Sequence, residues 1–418
     1  MSRGLFVAAL LLSLASAAQT FSPDQRLYLS EGILRGSPRL MGLSGAYVAI
    51  AEGAEGQTRN PAAVAQKDPR FERDFTVDFA GTMHFLFPGA VRQQDWDNDG
   101  EPDQPPGAGP NFAFGGAEVV YSTASVQYKS VGLGAGFDLQ NFHGLFGERR
   151  DGADVILAHI FASLGASFWD DNIAVGVGVE SSHAALGYFT NRQLNDSLTY
   201  HGWGYQFGAL WRPKDQNYRL GFSFKPATVA EPTDKRSELG KPDPQLQTFR
   251  DAVAPGRLSF GGSWALGSGG RNYNIANRAG LIDTGTVDEN GLPVFSAAMT
   301  KWLISAQVDV QLPVQGATTF SAFLAQREGT PPALVAGDKL SFLPRLGIEK
   351  EVWPDHFRIR GGGYLEPALV DTGTMRPHVT VGVELYLFKV GPQRLSFGLS
   401  FDFAQRYQNL SVAIVVWK

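Results

Sequence analysis

Apolar and polar residues alternate one for one along stretch after stretch of this chain. From Leu395 the large apolar side chains fall on every second position, Leu395, Phe397, Leu399, Phe401 and Phe403. Ser396, Gly398, Ser400, Asp402 and Ala404 stand between them. Strand side chains point to alternate faces, so one face here is greasy and the other small or polar. The same period of two marks 173–179, 218–224, 258–266, 302–310 and 379–387. Runs of about 9–11 residues are long enough to cross a bilayer as tilted strands.

Fifteen such runs can be marked between residues 75 and 418. Single-chain barrels of the outer-membrane type have an even number of strands, short periplasmic turns and longer outer loops. Strict alternation of turn and loop makes 89–116, 141–153, 185–198 and 227–255 outer loops. It also moves the run 317–327 into a loop spanning 313–341 and leaves 268–300 as a long periplasmic excursion. The count is then about fourteen. Aromatic residues collect where an apolar band meets water. Trp169, Trp211, Trp264, Trp302, Trp353 and Trp417 all fall near the strand ends that this count makes periplasmic. The expected fold is therefore all-β, a transmembrane antiparallel β-barrel over 71–418. The last strand is expected to begin at Leu410, after a mostly polar break from Gln405 to Asn409.

Residues 1–18 have the parts of a secretory signal peptide: Arg3, an apolar run from Leu5 to Leu14, and the small-residue exit Ala15-Ser16-Ala17-Ala18. That run is about half the ~20 residues a spanning helix needs. With 18% charged residues and 49 glycines, the chain is poor in charge for a soluble domain of its size. The net charge of −5 is spread without a basic run, which argues against nucleic acid. There is no cysteine, hence no disulfide, thiolate site or lipid-anchored cysteine. An exported barrel of this kind belongs in the bacterial outer membrane, among outer-membrane lipid and lipopolysaccharide, and is expected to be a monomer.

Residues 30–65 do not alternate. They are rich in Gly, Ala and Ser, yet hold Leu40, Met41, Leu43, Tyr47, Val48 and Ile50. Small residues let backbone pack closely inside another structure, and fourteen strands enclose a lumen wider than their side chains fill. Residues 19–70 are therefore read as a hatch that plugs the lumen, with Gly42, Gly45, Asn60, Pro61 and Ala62 as its marker residues. The run GSPRLMGLSGAYVAIAEGAEGQTRNPAAVA resembles the hatch of the FadL-type transporters of long-chain fatty acids and other hydrophobic compounds. Further echoes are RLGFSFKPA at 219–227, RLSFGGSWAL at 257–266 and PRLGIEKEVWPDHFRIRGGGYLEPALV at 344–370. The chain departs from the family at Gln57, Thr58, Arg59 and Ala63, and in the length of 268–300.

The resemblance implies passive uptake of long-chain fatty acids or other hydrophobic small molecules. Ligand would be captured among outer loops, enter an apolar pocket, and leave sideways where the third strand kinks. Gly132, Gly134 and Gly136, before Phe137, are the candidates for that lateral opening, although glycine could equally fill crowded lumen positions. Phe142, Phe146, Tyr188, Phe189, Leu246 and Phe249 could line the entrance. The alternative is a non-transporting barrel serving as an adapter for interaction or secretion; a general polar porin is a third reading.

Charged residues on the polar face avoid the lipid-face penalty. Arg358, Arg360, Glu366, Glu384 and Asp402 are expected to form a lumen charge network, with Arg39, Glu52, Glu55 and Arg59 as partners from the hatch. Asp95, Asp97, Asp99 and Asp103 have carboxylate spacing suited to a structural calcium ion in loop 95–103. A solvated acidic turn is the other reading, because Pro106 stands where a calcium loop needs Glu. The seven histidines are scattered, and no Gly-x-Ser-x-Gly or phosphate-cradling loop occurs. No enzyme activity and no other cofactor is expected.

Overall fold

The computed structural model describes residues 26–29, 34–66, 75–86, 98, 117–146, 151–190, 193–213, 216–237, 249–266, 274, 281–287, 293–297, 302–318, 335–353, 356–370, 373–390 and 393–417. The expected signal peptide lies outside them. Fourteen antiparallel strands form a closed barrel. The first seven are β1 (Phe75–Leu86), β2 (Ala117–Tyr128), β3 (Val131–Phe146), β4 (Asp151–Phe168), β5 (Ile173–Thr190), β6 (Gln193–Trp211) and β7 (Tyr218–Lys225). The second seven are β8 (Arg257–Leu266), β9 (Trp302–Gln311), β10 (Ser341–Trp353), β11 (Phe357–Glu366), β12 (Arg376–Val390), β13 (Gln393–Ala404) and β14 (Tyr407–Trp417). A further stretch, Thr228–Ser237, continues β7 toward the outer mouth. The wall closes where β1 pairs with β14, from Phe79 opposite Val416 to Leu86 opposite Asn409.

Alternation sets the two faces. On β13, Phe401 and Phe403 are 37% and 43% exposed, whereas Ser400 and Asp402 are fully buried. On β5, Val175, Val177 and Val179 face outward while Ala174 is buried. An apolar belt around a closed cylinder, with every ladder satisfied internally, is the strand solution to crossing a bilayer. This is a transmembrane barrel of the outer-membrane type. Trp169, Trp211, Trp264, Trp302 and Trp353 are exposed at the rim of short turns, which in such barrels faces the periplasm.

The structure corrects the sequence reading at several places near the mouth, among them 227–255, where Thr228–Ser237 and Ala252–Ala254 are strand rather than loop. Most of 141–153 and 185–198 is not loop: β3 runs to Phe146, β4 starts at Asp151, β5 runs to Thr190 and β6 starts at Gln193. Above the bilayer the outward positions need not be apolar, so the alternation fades while the ladder continues. The last strand resumes at Tyr407 rather than Leu410, because Tyr407 and Asn409 are buried on the lumen side. In the run set aside as loop, Ala317–Thr318 forms a two-residue strand paired with the N-terminal strand Arg26–Tyr28.

Residues 34–66 lie within the lumen, almost all buried. They comprise helix α1 (Pro38–Gly42), helix α2 (Gly53–Gly56) and a 3-10 turn, Pro61–Ala65. Ahead of them, Arg26–Tyr28 runs parallel between Ala252–Ala254 and Ala317–Thr318 at the mouth. Replacing lipid-facing Val177 by Arg should lower barrel stability by about 2–4 kcal/mol, the midplane penalty for a cation; urea unfolding from lipid vesicles measures it.

Candidate functional site

The lumen segment is seated on glycine. A Cβ added at Gly132 would overlap the Val64 carbonyl, and one at Gly221 the Val48 carbonyl. At Gly176 it would meet Pro61 and Ala62, at Gly208 the Asn60 side chain, and at Gly347 the Leu43 carbonyl at 2.6 Å. These glycines come from β3, β5, β6, β7 and β10, so the wall gives way to the segment around the barrel. Asn60 locks the turn it begins. Its Oδ1 accepts from Ala62 N (3.1 Å), and its Nδ2 donates to the carbonyls of Val48 (2.9 Å) and Ala209 (3.0 Å). Pro61 suits the first position of that turn, where no N–H is needed. Gly42 packs against Arg360 and Gly382, while Gly45 holds φ +72 beside Leu34 and Arg345.

The third strand shows no kink. β3 pairs in unbroken register with β2 and with β4. Gly132 and Gly134 are matched to Val64 and Gln57 of the segment, and Gly136 to the Phe161 ring. Phe137 faces outward. In this structure Gly132 and Gly134 make room for the segment and Gly136 makes room for Phe161.

Charges join segment to wall. Arg39 bonds Glu52 at 2.7 Å and Glu349 at 3.0 Å. Glu349 also takes Arg360 at 2.6 Å, and Arg360 pairs with Glu384. Arg219 bonds Glu52 at 2.7 Å and donates to the Ile50 carbonyl at 3.1 Å. Arg345 bonds Asp309 at 2.7 Å and donates to the Ser44 carbonyl at 2.9 Å. All these side chains are nearly dry, and breaking one partner of a buried pair costs about 3–5 kcal/mol. Of the five wall residues expected in one network, Arg360 and Glu384 reach the segment through Glu349. Arg358 pairs with Glu351 at 3.4 Å. Glu366 and Asp402 belong to a separate buried cluster. There His378 bonds Glu366 at 2.9 Å and Asp402 at 2.8 Å, with Arg376 on Glu366 and Tyr364 on Asp402. Sequence reasoning missed Glu349, although it shares the inward register of Arg345 and Gly347.

Asn274, from the expected 268–300 excursion, accepts from Arg219 at 2.9 Å and donates to the Pro213, Gln216 and Tyr218 carbonyls. It ties that excursion to the short-turn rim, next to the residue that grips Ile50 and Glu52. Asp95, Asp97, Asp99 and Asp103 lie outside the described residues. Asn98 between them donates to the Pro367 carbonyl at 3.0 Å.

Above the segment lies a cavity of about 110 Å³. Its described walls carry six cations, Arg35, Arg59, Lys225, Arg257, Lys339 and Arg345, against three carboxylates, Asp138, Glu180 and Glu366. Tyr28, Leu34, Tyr121, Leu343 and Leu369 supply apolar surface. The pocket is thus amphipathic, where the resemblance implied an apolar one. Phe249 does not line it; it is buried with Leu27, Leu186 and Tyr200 under the mouth.

No family model and no curated protein matches the sequence. Solved structures do. The CymD monoaromatic hydrocarbon channel is 11% identical with a TM-score of 0.54, the match covering 93% of this chain and 97% of that one. A Pseudomonas aeruginosa FadL homologue is 11% identical at a TM-score of 0.51, covering 91% and 96%. The Ralstonia pickettii toluene transporter TbuX is 12% identical at 0.51, covering 92% and 98%. The chain has the FadL-type fold. The resemblance read in the sequence therefore holds for the architecture of nearly the whole chain, at an identity too low to carry a ligand across.

Within this FadL-type barrel, Glu55 is wholly buried, 3.4 Å from the Tyr47 hydroxyl. Burial, only partly offset by Arg39 and Arg360 and reinforced by Glu384, raises its carboxyl from 4.5 to about 7. The seated segment then binds this proton more tightly than a displaced one. Seating is most favourable below 4.5 and weakens as pH rises through about 7. Channel openings in planar bilayers should become more frequent as pH rises across that window, and Glu55→Gln should flatten the dependence. Gly221→Val, which drives a side chain into the Val48 carbonyl, should raise conductance while leaving the barrel heat-resistant on gels.

Proposed function

We propose that this barrel conducts hydrophobic molecules bearing an anionic end, long-chain fatty acids among them, passively across the outer membrane. The observation that carries the reading is the cavity above the lumen segment, where six cations face three carboxylates beside tyrosine and leucine. Charged side chains set beside apolar ones suit a ligand that carries an ionisable end on an apolar body. Similar barrels are named for aromatic hydrocarbons and toluene. In this reading the segment 34–66 is the plug that keeps water and polar solutes from following. An open cavity under the mouth supports conduction over a purely adhesive, adapter-like role.

The test is uptake by a Gram-negative host lacking its own fatty-acid channel. Cells expressing the chain should take up labelled oleate faster than cells carrying an empty vector. Arg59→Met should slow oleate while leaving toluene entry unchanged. Equal loss of both probes, or no uptake above the vector, would contradict the assignment.

A further inference from the structure

Outward positions on β5 and β6 are apolar or aromatic from the short-turn rim up to one level, and there they change character. Val175, Val177 and Val179 are exposed on β5, and Trp211, Phe207, Tyr205 and Trp203 on β6. Beyond them on the same face come Ser181 and His183 on β5, His201 and Thr199 on β6, and Glu231 on the continuation of β7. At about 3.3 Å a residue and a tilt of about 40°, the climb from Trp211 to Trp203 covers roughly 20 Å of an apolar band about 25 Å tall. His201, the next outward position, therefore stands at the outer edge of that band.

Register sets three metal-ligating side chains in a row there. His183 lies directly opposite His201, and His201 directly opposite Glu231. Cβ atoms opposed in this way stand about 4.5–5.5 Å apart. The two imidazole rings are 4.5 Å apart between centroids and tilted by 36°. Both present Nε2 to the Ser181 hydroxyl, at 3.2 Å from His183 and 3.1 Å from His201. Two ring nitrogens from different strands thus converge on one point. Their neighbours on that face are small: Ala158 lies opposite His183 on β4, and Ala185 is the next outward position on β5. Trp203 meets the His201 ring edge-on at 5.6 Å and closes the place from below.

We propose that His183 and His201, completed by Glu231, form a binding site for a divalent transition-metal ion on the outer surface of the barrel. Imidazole ligands suit copper, zinc and nickel, whereas calcium and magnesium take oxygen. An ion held between the rings replaces the Ser181 hydroxyl as the partner of both Nε2 atoms, at about 2.0–2.1 Å. Among the described residues no three His, Asp or Glu side chains already converge, so the Glu231 carboxylate turns in when the ion binds. It is exposed and one strand away, which leaves it free to do so. Its charge answers part of the ion's, and water takes the remaining position. The site lies outside the lumen and does not depend on what the lumen conducts.

Zinc binding to the full-length barrel in detergent, made without a histidine tag, tests it. Calorimetry should find about one zinc ion per chain, and His183→Ala or His201→Ala should weaken its binding about tenfold or more. Glu231→Gln should weaken it by a smaller factor. His356→Ala, whose ring stacks on Trp353 at the opposite rim, should leave it unchanged. Each variant should stay heat-modifiable on gels, which separates a lost site from a lost barrel. A measurement on the unaltered chain needs no variant: bound copper(II) should show electron paramagnetic resonance coupling to two nitrogen atoms. Zinc binding that is equal in the wild type and in the His183→Ala, His201→Ala double variant overturns the site. A copper signal without nitrogen coupling overturns it as well.

Discussion

The structure depends on a backbone running through the lumen against walls that have no side chain where it passes. A fourteen-stranded cylinder is too wide for its own residues to fill, and water in that space would make it a pore. Here residues 34–66 of the same chain occupy that space. They fit only because Gly132, Gly176, Gly208, Gly221 and Gly347 withdraw the wall at the points of contact. Fit alone would leave a slippery interface. Arg39, Glu52, Glu349 and Arg219 make it specific, because buried charge is tolerated in few arrangements and strongly disfavoured in the rest.

The same arrangement divides the lumen into two regions of different character. Below, segment and wall are dry and interlocked, and Asn274 ties the 268–300 excursion to that end. Above, a small charged cavity remains between the segment and the N-terminal strand, with Tyr28 at its edge. Interlocking contacts are concentrated below, and open space lies above.

All fourteen strands were legible in the sequence because lipid and lumen impose opposite demands on alternate residues, and both demands are written as residue type. Legibility ended where those demands end. Above the bilayer, β3 to β6 continue on residues such as Asn141, Gly187 and Asp196, which mark no boundary. The glycines of β3 could be seen but not interpreted, since a missing side chain does not say what lies opposite it. Of the charge network, the residue types were legible and the pairings were not. Arg360 and Glu384 join the ion pairs of the segment through Glu349, and Glu366 and Asp402 turn to His378 instead. The N-terminal strand escaped notice because three residues pairing with positions more than two hundred away leave no local pattern.

That strand has a consequence for biogenesis. Arg26 stands at the outer mouth, Phe75 begins the wall at the periplasmic rim, and residues 34–66 between them lie inside the cylinder. The wall is complete only when its first and last strands meet. Before that moment it is an open sheet whose concave side is accessible; afterwards it is sealed. A segment already lying along the open sheet is enclosed when the C-terminal strand docks.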